Sequence, residues 1–382
     1  MADAWKEYEL GELLSYEQPT PYIVESTDYN DKYKTPVLTA GKTFILGYTN
    51  EENGVYDKLP VIIFDDFTTA SQYVNFRFKV KSSAMKILKA DTSLVLPKFI
   101  YYRMQSIKFD HSTHKRYWIQ HYSKIKVSVP SIPEQERIVA RIEELFSQLD
   151  ASVADLQAAK KRLKVYRQAV LKEAFEGIDA PIKRLEDLCY FITKGTTPPK
   201  TSITNSDTGI PFIKVYNLTF NNTLDFSIDP TFIDEDTHRG FLSRSITLPG
   251  DVLMNIVGPP MGKVSIVPDT YPEWNINQAI VRFRCLDDLD NKYLAYYLGY
   301  VGTVEKMKSK AKATAGQFNL TLEICRNLTI PVPSYSQQEE IVTEIESRLS
   351  VCDSIEQTVD TALQQAEALR QSILKQAFEG GL

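Results

Sequence analysis

The chain has 382 residues, 43% apolar and 24% charged, enough for two or three domains with real cores and too apolar for wholesale disorder. A formal net charge of −5 argues weakly against a polyanionic partner until charge is counted by segment, and no run of 18 apolar residues is present to cross a membrane. Cys189, Cys285, Cys325 and Cys352 are scattered without a CxxC pair, and the first ten residues lack a secretory pattern; both fit a reducing cytoplasm and exclude a disulfide framework or zinc cluster.

Residues 1–133 hold strand-like runs broken by turns and prolines, such as PVLTAGKTFILGYTN, LPVIIFDDFTT and NFRFKVKSSAMKIL. They read as an α+β domain. Residues 1–71 carry 5 Lys/Arg against 13 Asp/Glu, whereas residues 72–127 carry 12 against 2. Arg77, Lys79, Lys81, Lys86, Lys89, Lys108, Lys115 and Arg116 belong to the second stretch, interleaved with aromatics such as Phe76, Phe78, Tyr117 and Trp118. So unbalanced a segment repels itself unless it is spread over a surface or met by a polyanion. The plainer reading is a solvated face balanced by the acids of residues 1–71. Gly41-Lys42-Thr43 has the wording of a phosphate loop, but Pro36 stands where that loop needs glycine. Lys42 remains a candidate phosphate contact. His111 and His114 lack accompanying metal ligands and sit beside Lys115 and Arg116, so no metal is expected there and a surface or DNA-facing role is favoured. Asp65 and Asp66 follow the strand-like VIIF without a Glu-x-Lys after them, which favours turn capping over a nuclease centre.

Residues 134–177 predict a helix without internal proline. Ser131 and Glu134 have capping-box spacing, and Gly177 is the stop. The same element returns at 337–380, opened by Ser334 and Gln337 and closed by Gly380: residues 127–177 and 330–380 align without a gap, with 20 identities in 51 positions. Apolar spacing of four and three places Ile138, Ile142, Leu145, Leu149, Leu156 and Leu163 on one seam, and Ile341, Ile345, Ile355, Val359, Leu369 and Ile373 on the other. Such a seam is that of a coiled coil, and two related seams in one chain most simply pack on each other. The bland alternative is two helices laid on a globular core. The second helix has 3 basic residues against 9 acidic ones, which suits a protein partner better than DNA.

Residues 178–333 read as a second α+β domain, with GIPFIKVYNL, PGDVLMNIVG and AIVRFRCL as strand-like runs. A ladder of Lys306, Lys308, Lys310 and Lys312 leads into Gln317 and Asn319. Lysine contacts phosphate, while Gln and Asn can read adenine edges. This ladder and the basic stretch of the first domain occupy equivalent positions, each just before a long helix. There is no GxGxxG, no GxSxG and no other catalytic constellation.

Two phrases recur around the helices. Val129-Pro130-Ser131 with Gln135-Glu136-Arg137-Ile138-Val139 matches Val332-Pro333-Ser334 with Gln338-Glu339-Glu340-Ile341-Val342, and Ala174-Phe175-Glu176-Gly177 matches Ala377-Phe378-Glu379-Gly380. With Leu96-Pro97-Lys98-Phe99-Ile100-Tyr101-Tyr102 and Gly316-Gln317-Phe318-Asn319-Leu320, the chain resembles over its whole length the specificity subunit of a type I restriction-modification enzyme. Residues 16–89 further resemble one recurrent subtype of first recognition domain. The resemblance implies two target-recognition domains (1–133 and 178–333) joined by two long antiparallel coiled-coil helices (134–177 and 334–382) in a pseudo-twofold internal repeat. It implies a non-catalytic, cytoplasmic protein that reads a two-part asymmetric target in double-stranded DNA, with the helices setting the gap. Two modification subunits would supply the S-adenosylmethionine site and methylate adenine, and two restriction (motor-nuclease) subunits would join them. No cofactor is expected in this chain, and no membrane. The rival readings are a coiled-coil scaffold whose ends bind proteins and a stand-alone DNA-binding protein.

Overall fold

A computed structural model describes residues 5–41, 43–109, 116–204, 208–314 and 317–379, with the side chains of 312–314 and 317 outside that description. The chain forms two compact units, residues 1–157 with 360–382 and residues 158–359. Two helices of 44 residues, Ile132–Phe175 and Tyr335–Phe378, contribute to both. Among the described residues no helix is long and apolar enough to cross a membrane.

Unit 1 is built on an antiparallel sheet in the order Leu14–Glu17, Met85–Ala90, Val61–Asp65, Ser71–Val74. Val61-Ile62-Ile63-Phe64 is apolar at every position because both faces of the sheet are covered. Ile62, Phe64 and Leu88 face Phe99, Trp118 and Tyr122, while Val61, Ile63 and Ile87 face Tyr56, Phe78 and Val80. The first face is closed by Ile138, Ile142 and Phe146 of the first long helix and by Ile373, Leu374 and Ala377 of the second. A smaller sheet, Ile45–Thr49, Thr35–Leu38 and Lys79–Val80, pairs its last two strands in parallel. Lys6–Glu9 pairs antiparallel with Lys126–Val129 just before the first long helix.

Unit 2 repeats this plan. Its main sheet runs Cys189–Lys194, Ile280–Cys285, Val252–Asn255, Val264–Ile266. Its smaller sheet pairs Ile210–Ile213 in parallel with Asn275–Ile276, and Ile182–Arg184 pairs with Thr329–Pro331 before the second long helix. Val170, Leu171 and Phe175 of the first long helix and Val342 and Ile345 of the second enter its core. Unit 2 also has a three-stranded sheet, Val257–Gly258, Gln317–Asn319 and Lys312–Thr314.

Each long helix is pinned at its start by one buried glutamine. Gln135 Oε1 accepts from Leu96 N (2.8 Å), and Nε2 donates to Leu94 O (3.1 Å) and Pro130 O (2.9 Å). Gln338 does the same with Asp290 N (2.9 Å), Asp288 O (2.9 Å) and Pro333 O (3.1 Å). The capping box forms at the second helix, where Gln337 Oε1 accepts from Ser334 N at 3.1 Å. At the first, the Glu134 carboxylate instead takes a bidentate bond from Arg137 at 2.8 and 2.7 Å.

The two helices touch within each unit. In unit 1, Arg370 pairs with Asp150 and lies 4.3 Å over the Phe146 ring. In unit 2, Arg167 pairs with Asp353 (2.5 Å) and Glu356 (3.1 Å), and Arg348 with Glu173 (3.0 Å). The buried line on the second helix is Ile345, Cys352, Val359, Ala366, Ile373, one residue in seven. Ile138 and Ile142 are buried, and Leu145, Leu149, Leu156, Leu163 and Ile341 half-buried. Ile355 (44% exposed) and Leu369 (50%) correct the expected seam. The contact passes one residue further on, through Glu356 and Arg370, whose apolar stems cover the seam while their charged heads bond across it. A single partner helix covers too narrow a stripe to bury the flanking positions as well.

Candidate nucleic-acid interface

The basic stretch of unit 1 divides by side-chain direction. Arg77, Lys81, Lys89, Lys108 and Arg116 are exposed and have no carboxylate partner among the described residues. Lys79 and Lys86 correct the expectation of DNA contact. Lys79 is 3% exposed; its ammonium bonds Asn53 O at 2.7 Å and pairs with Glu51 at 2.7 Å. Partial burial would raise the Glu51 carboxyl, but bonds from Lys79 and the N–H groups of Ser26 and Glu25 outweigh it and hold it below its ordinary value. Lys86 is 1% exposed, 3.3 Å from the equally buried Asp66, with Gln18 Oε1 at 3.2 Å. Asp66 also accepts from Trp118 N at 2.8 Å, so this carboxylate organises the core. Its neighbour Asp65 caps the turn through Phe67 N and Thr68 N, both at 2.9 Å. Lys42, His114 and Lys115 lie outside the described residues.

In unit 2 the lysine ladder spans a helix, a turn and a strand. Lys306 and Lys308 lie on the helix Val301–Lys308, Lys310 in the turn after it, and Lys312 in the strand Lys312–Thr314. Lys306 donates to Thr329 Oγ1 at 3.0 Å, and Lys308 pairs with Glu305 at 2.9 Å while standing 5.8 Å over the Phe318 ring. Lys310 and Asn319 are exposed and, with Lys194, line one open groove of about 860 Å³. Gln317 lies on the strand Gln317–Asn319, with its side chain outside the description.

Several charged and aromatic groups of unit 2 escape sequence reasoning. Lys263 stands 6.0 Å over the exposed Phe220 ring and Lys214 5.4 Å over Tyr216. Arg282 and Arg284 each lie 5.8 Å from Phe191, which is 52% exposed. Asp251 holds Arg284 by two bonds of 2.7 Å. Those bonds push the Arg284 guanidinium above its ordinary value, whereas burial pulls Arg282 below its own. The visible signal is Arg-x-Arg at 282 and 284, which on a strand puts both guanidinium groups on one face. Phe220 and Lys263 are far apart in sequence and give no such signal. Among the described residues no cluster of His, Cys, Asp and Glu could hold a metal ion.

Comparison with known proteins adds the following. The family model described as type I restriction modification DNA specificity domain matches residues 2–160 and 179–365. The type I restriction enzyme EcoR124I/EcoR124II specificity subunit of Escherichia coli is 34% identical over 364 residues, covering 91% of this chain and 87% of that protein. The EcoBI specificity subunit, also of Escherichia coli, is 27% identical over 66% of this chain and 58% of its own length. Among solved structures, a chain described with complex assembly and conformational transition of the type I R-M system aligns with a TM-score of 0.71. That alignment covers 99% of this chain and 98% of the other at 19% identity, a likeness of fold.

Proposed function

The chain belongs to the type I restriction-modification DNA specificity family, and from that premise we propose that it reads a bipartite, asymmetric target in double-stranded DNA, one half-site per unit. The observation that carries this reading is one fold plan used twice with two unlike exposed cationic surfaces. Unit 1 presents the exposed Arg77, Lys81, Lys89, Lys108 and Arg116; in unit 2 Lys310 is exposed, and the half-buried Lys263 and Lys308 stand over the Phe220 and Phe318 rings. Unlike surfaces on like scaffolds select unlike half-sites. Phosphate contacts from these cations hold the duplex, and groove-facing side chains choose the bases.

The two long helices act as a coiled-coil spacer in a pseudo-twofold repeat, so the gap matters by its length and not by its bases. The chain makes no bonds itself and carries no cofactor. Two modification subunits bind S-adenosylmethionine and methylate an adenine extruded from the stack, and two restriction subunits complete the assembly in the cytoplasm. Coexpression with the modification subunit, followed by methylome sequencing of the host, tests this. Adenine methylation at one two-part asymmetric motif is expected, and a host methylome without any new motif refutes the reading.

A further inference from the structure

Resting on that DNA-reading function, we infer that the turn Thr219–Thr223 of unit 2 is a base-contacting tip, in which Phe220 stacks against a base step and Asn221 reads the neighbouring base edge. The turn is fixed from within. Thr219 Oγ1 donates to Thr223 O (2.8 Å) and accepts from Asn221 N (3.1 Å). It is also tied to the edge strand Val264–Ile266. Ser265 Oγ accepts from Thr219 N (3.2 Å) and donates to Thr223 O (2.6 Å), Val264 N bonds Thr219 O (3.1 Å), and Ile266 N bonds Asn222 O (3.0 Å). Asn222 adopts φ 59°, a left-handed conformation that asparagine tolerates.

A turn held this firmly ordinarily turns its apolar residue inward. Here Phe220 is 59% exposed, and the exposed Asn221 side chain has no hydrogen-bond partner among the described residues. The order is spent on presenting both groups to something outside the chain.

The surroundings identify the ligand. Lys263 reaches over the Phe220 ring, and the exposed Pro259 and Pro260 connect it to Val257–Gly258. That strand pairs with Phe318–Asn319, where Lys308 covers Phe318. Cations alternating with aromatic faces suit phosphates alternating with bases. Asparagine offers the bidentate donor and acceptor pair that matches adenine. The frame recurs in unit 1, where Thr39 Oγ1 donates to Thr43 O (2.6 Å) and accepts from Gly41 N (3.3 Å), but the residue after the first threonine is the buried Ala40. A constant frame with a different filling is what two half-sites require.

The test uses the complex with the modification subunit and a duplex carrying the target found by methylome sequencing. Phe220→Ala is expected to weaken target binding by about tenfold or more, while non-specific binding, thermal midpoint and assembly with the modification subunit stay unchanged. Phe220→Trp is expected to keep target affinity and to show emission quenched by target DNA, measured against the wild-type background. Asn221→Ala is expected to relax discrimination at one base pair. Unchanged target affinity in Phe220→Ala, or Phe220→Trp emission indifferent to DNA, overturns the inference alone. Loss of assembly in Phe220→Ala also overturns it, by placing the ring in a protein contact. A wild-type complex without sequence-selective binding overturns the DNA-reading function and this inference together.

Discussion

At the scale of single residues, the sign of a charge does not say whether it serves DNA or the core. Lys86 and Lys89 lie in one strand, yet Lys86 shares the face of Leu88 and Phe64 while Lys89 points to solvent. The run Met85-Lys86-Ile87-Leu88-Lys89-Ala90 lacks clean alternation, so its sequence left open which lysine faces in. The consequence is a split in mutational effect. Lys86→Gln abandons a buried Asp66 carboxylate and should cost about 3–5 kcal/mol, read by chemical denaturation, with Lys86→Gln/Asp66→Asn recovering much of the loss because Asn removes the charge and keeps an oxygen for Trp118 N. Lys81→Gln and Lys89→Gln should leave stability unchanged and flatten the salt dependence of DNA affinity. An unchanged salt slope would remove those two lysines from the interface. Glu51 adds a pH dependence. Its folded-state carboxyl titrates below the ordinary 4.5, so its stabilisation is complete above that pH and is lost as pH falls through the folded value. Lys79→Met should reduce this acid-side slope in a pH series of unfolding midpoints.

The elements were more legible than the residues. Helix starts and stops are written in short-range chemistry: Ser334 with Gln337 forms its box, and Gly177 follows the first helix at φ 86°. What short-range spacing could not fix was the rotational setting of each helix. An apolar residue one step from the seam satisfies a seven-residue pattern as well as one on it, and Ile355 and Leu369 lost to Glu356 and Arg370 because ion pairs cross the contact there. The lysine ladder is spread over several elements: Lys306 and Lys308 lie on a helix that buries Val304 and Met307, Lys310 in the turn after it and Lys312 on a strand, so even spacing in sequence does not set one common side-chain direction. The glutamines at the helix starts show what repetition alone can reveal, since Gln135 and Gln338 are matched in sequence and make matched bonds. Each closes three backbone groups, so Gln135→Ala and Gln338→Ala should each cost about 1–3 kcal/mol. Hydrogen exchange should locate the loss in the mutated unit: Leu96 loses protection in the first variant and Asp290 in the second. Uniform loss across both units would mean that the pins are not local.

At the scale of the whole molecule, the chain closes on itself. Unit 1 is not complete until residues 360–379 have been made, because Ile373, Leu374 and Ala377 cover the same cluster as Phe99 and Ile142, and Phe378 stacks edge-on to Phe99 at 5.4 Å. Truncation after Val359 should therefore strip exchange protection from unit 1 and spare unit 2. The helices that close the units also carry the spacing argument. Removing one heptad from each helix, on either side of Gln157 and of Val359, keeps the alternation of four and three intact and shortens each helix by about 10 Å. That length corresponds to about three base pairs of duplex. Methylation of a target library with varied gap lengths should shift toward gaps shorter by that amount. Three base pairs also rotate one half-site by roughly 100° at about ten base pairs per turn, a rotation that removing a heptad does not reproduce. The shortened protein should thus prefer the shorter gap and yet bind it more weakly than the native protein binds its own. An unchanged gap preference would show that something other than the helices sets the distance between half-sites.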